Sequence, residues 1–263
     1  MAEDGDKDVS GDVGKGADKQ ADKSDKEAEE HESVWQRMER PARPPRAALT
    51  HDRIAEAAVA IADAEGIDAV SMRRLAERLG VATMGLYRYV RGKDEVIELM
   101  LDAVIGREAQ VEPAADWRAT LRAAAWGLRA VLLRHPWIVR ISTWSGPLTP
   151  HLVGRLDGLL ASLDHLDLDA DTRMVVVGTV SAYVNGAVST DIGLVEQMRN
   201  EGVSEMNELR HLYASRMMWL LDSGRYPAFE RYIREGVRKD ESEWRFELGL
   251  ECVLDGIAAR LGI

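Results

Sequence analysis

Residues 71–95, SMRRLAERLGVATMGLYRYVRGKDE, decide how the first part of this sequence folds. Ser71 is a suitable N-cap for a short helix, and Gly80 is placed to end that helix in a tight turn. A second short helix is predicted to begin at Thr83, with Leu86 pointing inward. Two short helices joined by a glycine turn are typical of a helix-turn-helix motif, whose second helix enters the major groove of DNA.

The sequence on both sides of this motif is also helical. Before it, apolar residues recur at the spacing of one buried helix face, and after it a helix is predicted to begin near Lys93. Further helices are predicted at 117–134, 136–145, 148–163, 170–196, 204–223 and 243–261, and no segment alternates as a strand would. We therefore predict an all-α chain, with an N-terminal helix-turn-helix three-helix DNA-binding domain followed by a larger helical ligand-binding and dimerisation bundle.

Charge is distributed unevenly along the 263 residues, whose formal net charge is −11. Residues 1–33 contain 5 basic and 12 acidic side chains, whereas residues 34–95 contain 11 basic and 9 acidic ones. Binding to nucleic acid depends on local charge, so an acidic total does not exclude DNA as a partner. The first segment is predicted to be a disordered acidic tail, and the Arg/Pro-rich stretch after it an extended arm that either lies against DNA or is a linker.

These patterns divide the chain into 1–47 (acidic tail and arm), 48–95 (helix-turn-helix DNA-binding domain) and 96–263 (C-terminal ligand-binding and dimerisation domain). No apolar run reaches the ~18–20 residues of a membrane span, and no signal peptide is evident, so we expect a cytoplasmic protein with no membrane partner. The sequence has no metal cluster, no nucleotide loop and no nucleophile with a base at motif spacing. We expect no metal, no cofactor and no enzyme, although catalysis in a helical cavity remains an alternative.

Several side chains on the outer side of the motif are suited to DNA. Gly85 costs about 1 kcal/mol relative to alanine inside a helix, which suggests that either DNA or a neighbouring helix approaches its backbone closely. The hydroxyls of Tyr87 and Tyr89 can bond phosphate oxygens, or the rings can be half-buried packing residues. Lys93, near a helix N-terminus, combines its charge with exposed amides.

Residues 48–101, ALTHDRIAEAAVAIADAEGIDAVSMRRLAERLGVATMGLYRYVRGKDEVIELML, resemble the DNA-binding domain of the tetracycline repressor (TetR) family, most specifically in GLYRYVRGKDEV. The resemblance implies a homodimeric repressor that binds a palindromic operator in double-stranded DNA. It assigns base or groove contacts to Arg73, Thr83, Met84 and Gly85, and phosphate contacts to Tyr87, Tyr89 and Lys93. An activator, or a relative of the same fold that does not bind DNA, remains an alternative.

The resemblance also implies that a small-molecule effector binds the C-terminal bundle and releases the DNA. The family's magnesium and tetracycline ligands are replaced here by Ser142, Thr190 and Ala124, so magnesium-tetracycline is not the expected effector. An apolar or aromatic compound is expected instead, because aromatic residues are frequent in this part of the chain. The predicted ligand-binding residues are Trp126, Trp137, Trp144, Tyr183 and Met217, although aromatic side chains at helical spacing are as often packing residues of the core.

Two late apolar helices, residues 173–198 and 248–261, are predicted to form the dimer interface. The first is apolar almost all round in its first half, as expected of a helix covered on two sides. The second places Leu250, Val253 and Leu254 on one face. Two such helices from each subunit would form a four-helix interface.

Overall fold

The computed structural model describes residues 33–39, 49–112, 114, 116–141 and 148–263, and these form helices and no strands. They belong to two units, Met1–Ala48 and Leu49–Ile263. The all-α prediction is confirmed. The helices of the described residues are α1 (Val34–Glu39), α2 (His51–Glu65), α3 (Met72–Leu79), α4 (Thr83–Leu86), α5 (Lys93–Glu108), α6 (Trp117–Arg134), α7 (Trp137–Ile141), α8 (Pro150–Ala161), α9 (Ala170–Asn200), α10 (Met206–Asp222), α11 (Pro227–Glu235) and α12 (Ser242–Leu261).

Side-chain caps fix the beginnings of the first helices. The Thr50 hydroxyl accepts a hydrogen bond from the backbone N–H of Arg53 at 3.2 Å, and the Ser71 hydroxyl accepts one from Arg74 at the same distance. Each cap satisfies an amide that the helix itself leaves unpaired. Gly80 ends α3 in the left-handed conformation, with φ 67°, which glycine adopts without steric cost.

The helix-turn-helix is built on a small core that α5 extends into the rest of the chain. α2 packs along α5, and α3 contacts both α2 and α4. Because α5 also packs against α8 and α6, one 16-residue helix belongs to the first core and to the larger bundle. The buried side chains of the first core are Ile54, Ala58, Ile61, Leu75, Leu86, Val90 and Met100.

Helix α4 is shorter than the sequence predicts, and this is a correction. Only Thr83–Leu86 is α-helical, and the following residues form a turn. The Tyr89 N–H bonds the Leu86 carbonyl, only three residues earlier, at 2.8 Å, so the chain tightens instead of adding another helical turn. Glycine at position 85 lowers the helical propensity of this short segment, and burial of Val90 fixes the turn that follows.

The larger bundle is built around α9. This helix of 31 residues packs against α6, α8 and α12, and five of its valines are buried. Arg155 on α8 donates to the Ala109 and Ala124 carbonyls at 2.6 and 3.0 Å, and burial lowers the pKa of its guanidinium to about 10. This arginine therefore ties α8 to the end of α5 and to α6.

Two segments differ from the expected helix pattern. Pro227–Glu235 forms α11, where the sequence analysis placed no helix. The extended-arm prediction is wrong for Val34–Glu39, which form α1 behind a capping box in which Ser33 and Gln36 bond each other's backbone N–H. The rest of the predicted arm and the acidic tail lie outside the described residues.

Part of the apolar face predicted for the dimer helix of residues 248–261 is used within the subunit. Leu250 and Leu254 are fully buried in the core of one chain. The outward side of α12 instead presents Leu248, which is 49% exposed, together with the exposed Cys252. Among the described residues, no helix is both long and apolar enough to cross a membrane.

Candidate nucleic-acid interface and ligand cavity

The predicted base-contacting residues lie on the outer side of the helix-turn-helix. The side chain of Arg73 is 86% exposed, Met84 is 75% exposed and Thr83 is half-buried. Nε of Arg73 lies 4.0 Å from the Glu77 carboxylate, and an ion pair at such an exposed position is weak. The Arg73 guanidinium thus stays able to turn toward a base edge.

The predicted phosphate-contacting residues are held by their neighbours to different degrees. Tyr87 is 47% exposed, whereas Tyr89 is half-buried with its ring edge-on to His51, at 5.6 Å between centroids. Nζ of Lys93 donates to the Ile67 carbonyl at 3.2 Å, which holds the amine against the segment that links α2 and α3. A lysine amine has three donors, so two remain for an anion.

Gly85 has open space where a side chain would stand. Apart from its chain neighbours and the backbone of its own helix, a Cβ built on Gly85 meets no atom of the described chain within 4 Å. Packing by a neighbouring helix of the same chain, one of the two explanations offered by the sequence, does not account for this glycine. Close approach of a partner molecule is the explanation that stays open.

Two residues of this surface were not picked out from the sequence. Nε2 of His51 lies 3.2 Å from the Tyr89 carbonyl, so the start of α2 holds the turn that follows α4. Arg88 is exposed in that same turn, next to both tyrosines. In the sequence, the position of Arg88 between two tyrosines could have indicated a role in DNA binding. The contact of His51 joins residues 38 positions apart, so no local pattern could have indicated it.

A part-buried polar cluster joins the helix-turn-helix to the bundle. Oδ1 of Asp63 on α2 lies 2.7 Å from Nδ1 of His135 and accepts a hydrogen bond from Nε1 of Trp137 at 2.7 Å. The other ring nitrogen of His135 lies 3.3 Å from the Glu108 carboxylate at the end of α5. The turn between α6 and α7 is thereby held against both α2 and α5.

A cavity of about 450 Å³ lies between α6, α9 and the residues that begin α12. Its volume is in the range of pockets that bind drug-sized ligands. The walls combine apolar side chains with several charged ones. They include Leu133, Ile192, Val195, Met198 and Met206, together with Arg129, Asp191, Glu196, Arg199, Lys239, Asp240 and Arg245.

Arg129 is the most deeply buried charge of this cavity, with 9% of its side chain exposed. Its guanidinium lies over the rings of Trp126 and Phe246, at 5.4 and 5.2 Å from their centroids. Nη2 lies 3.4 Å from Asp191 and 3.3 Å from the Ser242 hydroxyl, and Nε has no hydrogen-bond partner. A buried donor without a partner is rare in folded proteins and costs ~1–3 kcal/mol.

The four described members of the predicted ligand-binding set do not line this cavity. Trp126 stacks behind Arg129 and donates to Glu247 at 2.7 Å, while Trp137 is committed to the polar cluster. The Tyr183 hydroxyl donates to the Phe246 carbonyl at 2.7 Å, and burial raises the pKa of this hydroxyl. Met217 is half-buried on α10, and Trp144 lies outside the described residues. In the described part of the chain, no three His, Cys, Asp or Glu side chains come together as metal ligands would.

Comparison with known proteins matches nearly all of the larger unit. The family model "Bacterial regulatory proteins, tetR family" matches residues 54–100, and "Tetracyclin repressor-like, C-terminal domain" matches residues 111–261. The HTH-type transcriptional repressor DrrR1 of Streptomyces coeruleorubidus is 35% identical over 228 residues, which cover 86% of this chain and 83% of that protein. An HTH-type transcriptional regulator of Saccharopolyspora erythraea is 31% identical over 88% of this chain and 93% of its own.

A solved structure is similar in fold as well as in sequence. The crystal structure of the Streptomyces coelicolor TetR family protein ActR in complex with actinorhodin has a TM-score of 0.66 and 30% identity. The match covers 82% of this chain and 98% of that one. The similarity therefore extends across the helix-turn-helix and the bundle together.

Proposed function

Because the chain belongs to the TetR family of transcriptional regulators, we propose that it is a homodimeric repressor of a palindromic operator and that a small molecule releases it from DNA. Its class is that of a DNA-binding regulator and not of an enzyme. In this proposal, residues 48–95 bind DNA, and residues 96–263 bind both the effector and the second subunit.

The exposed surface around α4 is the observation on which the DNA-binding roles rest. Met84 is 75% exposed and the neighbouring Gly85 has open space, so the backbone of α4 can come close to a groove. Met84 offers an apolar contact, for instance to a thymine methyl, which leaves hydrogen-bonded recognition to Arg73 and Thr83. Tyr87, Tyr89 and Lys93 would hold phosphates and set the register.

The outward sides of α9 and α12 are the proposed dimer interface. Val175 on α9 and Leu248 on α12 are 64% and 49% exposed in the single chain. Gly186 and Gly193, also on the outer side of α9, have nothing within 4 Å of a built Cβ, so another helix can cross there closely. Exposed apolar side chains beside such small residues favour helix–helix packing over contact with water.

The cavity between α6, α9 and the start of α12 is the proposed effector site. In the similar protein ActR, the bound compound is actinorhodin. By this likeness, and because of the apolar walls of the cavity, we expect an effector with apolar rings. Such a ligand would favour dimers whose two α4 segments do not fit adjacent turns of DNA.

Selection of bound sequences from a random DNA pool tests the repressor proposal directly. The purified full chain should enrich two inverted half-sites whose centres are one helical turn apart, about 34–36 Å. Enrichment of a single half-site, or of no sequence, would contradict the dimeric operator. Sedimentation at micromolar concentration provides an independent check, because a stable monomer would exclude the proposed interface.

A matched pair of variants separates dimerisation from folding. Leu248→Glu places a charge on the outward side of α12 and should give a folded monomer that has lost operator affinity. Glu243→Gln, at an exposed position near the start of the same helix, should leave both properties unchanged. Thermal unfolding of each variant shows whether the subunit itself is intact.

A further inference from the structure

The unusual feature of the effector cavity is the way in which its buried cation is held. The Arg129 guanidinium lies over two aromatic rings, which fix its position. The N–H groups along one of its edges nevertheless make few hydrogen bonds, and these are long. On that edge Nε has no partner, and Nη2 has only contacts of 3.3 and 3.4 Å. Bonds between an arginine and a carboxylate are normally about 2.7–2.9 Å long.

The nearest carboxylate does not neutralise Arg129 by itself, because it is shared. Asp191 accepts a hydrogen bond from Arg245 at 2.9 Å through Oδ1, while its Oδ2 stands 3.4 Å from Arg129. Asp191 is therefore bonded more closely by Arg245 than by Arg129. Arg129 is left as a buried charge with room for a stronger anionic partner.

The other charges of the cavity leave a small excess of positive charge. Its walls contain four basic residues (Arg129, Arg199, Lys239 and Arg245) and three acidic ones (Asp191, Glu196 and Asp240). Two of these side chains are bonded outside the cavity, because the carboxylate of Asp240 is bound by Arg210 and the amine of Lys239 donates to the Ile233 carbonyl. Three basic and two acidic side chains then remain. An entering anion therefore meets a cavity that already lacks one negative charge.

We propose that the effector is an apolar, ring-containing carboxylic acid whose carboxylate binds Nε and Nη2 of Arg129. This inference rests on the proposed effector site and adds the chemical class of its ligand. Two adjacent N–H donors match the two oxygens of a carboxylate, which a single phenolate oxygen cannot do. The apolar body lies against Leu133, Val195 and Met206, and Asp191 keeps its bond to Arg245 when the ligand displaces it from Arg129.

Fluorescent pyrenebutyrate and its uncharged carboxamide form a pair of probes that differ only at the acid. Titrated against the full chain, the carboxylate should bind on the order of 10- to 100-fold more tightly than the amide, the range expected for a charged hydrogen-bonded pair. Equal affinity of the two probes would overturn the proposal. So would failure of the carboxylate to bind at concentrations up to about 1 mM, which corresponds to very weak association.

Substitutions of Arg129 test whether this side chain causes the preference for the carboxylate probe. Arg129→Gln should remove the preference for the carboxylate while the amide still binds, and Arg129→Lys should retain only part of it because lysine lacks the planar fork. Arg216→Gln, which removes an exposed cation of α10 that does not line the cavity, serves as the matched control and should keep the preference. A preference that survives in Arg129→Gln would refute the assignment, and a circular-dichroism melt shows whether each variant is folded.

One further variant tests the competition between carboxylates. Asp191→Asn removes the charge that stands 3.4 Å from Arg129 and should raise the affinity for pyrenebutyrate without changing that for the amide. A fall in carboxylate affinity would contradict the proposal. The probe experiments do not depend on DNA, so loss of the carboxylate preference would leave the operator selection unaffected, and failure of that selection would leave the probe result standing.

Discussion

Replacing Gly85 with alanine should separate the stability of the chain from its affinity for DNA. Because a Cβ at this position meets nothing within 4 Å and φ is not positive, alanine fits the existing backbone. The substitution removes conformational freedom from the unfolded chain and should stabilise the fold by ~0.5–1 kcal/mol. In a unit of this size, that gain corresponds to a rise in Tm of about 1–4 °C.

Affinity for the operator should change in the opposite direction. If the backbone of α4 lies against a groove, the new methyl occupies the space that a base edge or sugar would fill. It would also displace the neighbouring Thr83 and Met84 from their own contacts. The loss of one good base contact is worth ~1–3 kcal/mol, so we expect operator binding to weaken by about tenfold or more.

Thermal unfolding and fluorescence anisotropy with the selected operator measure both effects on the same preparation. Gly127→Ala on α6 is the matched control, because this helical glycine also has nothing within 4 Å of a built Cβ. It should raise Tm similarly and leave operator affinity unchanged. An unchanged operator affinity for Gly85→Ala would refute the close approach of DNA, and a lowered Tm would refute the open space around Cβ.

Three further substitutions test the other assigned roles. Lys93→Ala should weaken binding to all DNA sequences alike and reduce the slope of log affinity against log salt by about 1, as measured by titrations at several salt concentrations. Arg73→Ala should relax sequence preference at one operator position, and a repeated selection from the random pool would reveal it; a uniform loss would contradict the role. Asp63→Ala removes the acceptor that His135 and Trp137 share and should lower the free energy of unfolding by ~1–3 kcal/mol, as measured with denaturant. Its control, Asp68→Ala, breaks an exposed ion pair with Arg140 and should cost less than ~1 kcal/mol.

The sequence predicted those parts of the fold that local chemistry determines. The cap at Ser71 and the left-handed Gly80 follow from residue types alone, and both are observed. The length of α4 was overestimated, because the spacing of Leu86 and Val90 fits a longer helix as well as it fits the tight turn that forms. Periodicity identifies which residues face inward but does not distinguish these two backbones.

The cavity between α6 and α9 was not predictable in the same way. Tryptophans were expected in it because aromatic side chains often line pockets, but the indole of Trp137 bonds Asp63, which lies 74 positions earlier in the chain. Arginine is seldom buried, so Arg129 in a helical sequence gives no sign that it will lie inside. Both placements depend on contacts between distant segments, which no local pattern records.

The contacts of α5 explain how a ligand between α6 and α9 would affect DNA binding. At its start, Lys93 bonds the Ile67 carbonyl beside the helix-turn-helix. Farther along, the buried Asp102 accepts a hydrogen bond from the backbone N–H of His151 at 2.8 Å and lies 2.7 Å from the ring of the same residue, at the start of α8. α8 packs in turn against α9, and interiors this close-packed do not absorb displacements locally. A ligand that draws Arg129 away from Asp191 changes the packing of α6 against α9. We expect this change to reach the DNA-binding surface through α8 and α5. It would alter the relative populations of the dimer arrangements that do and do not fit DNA.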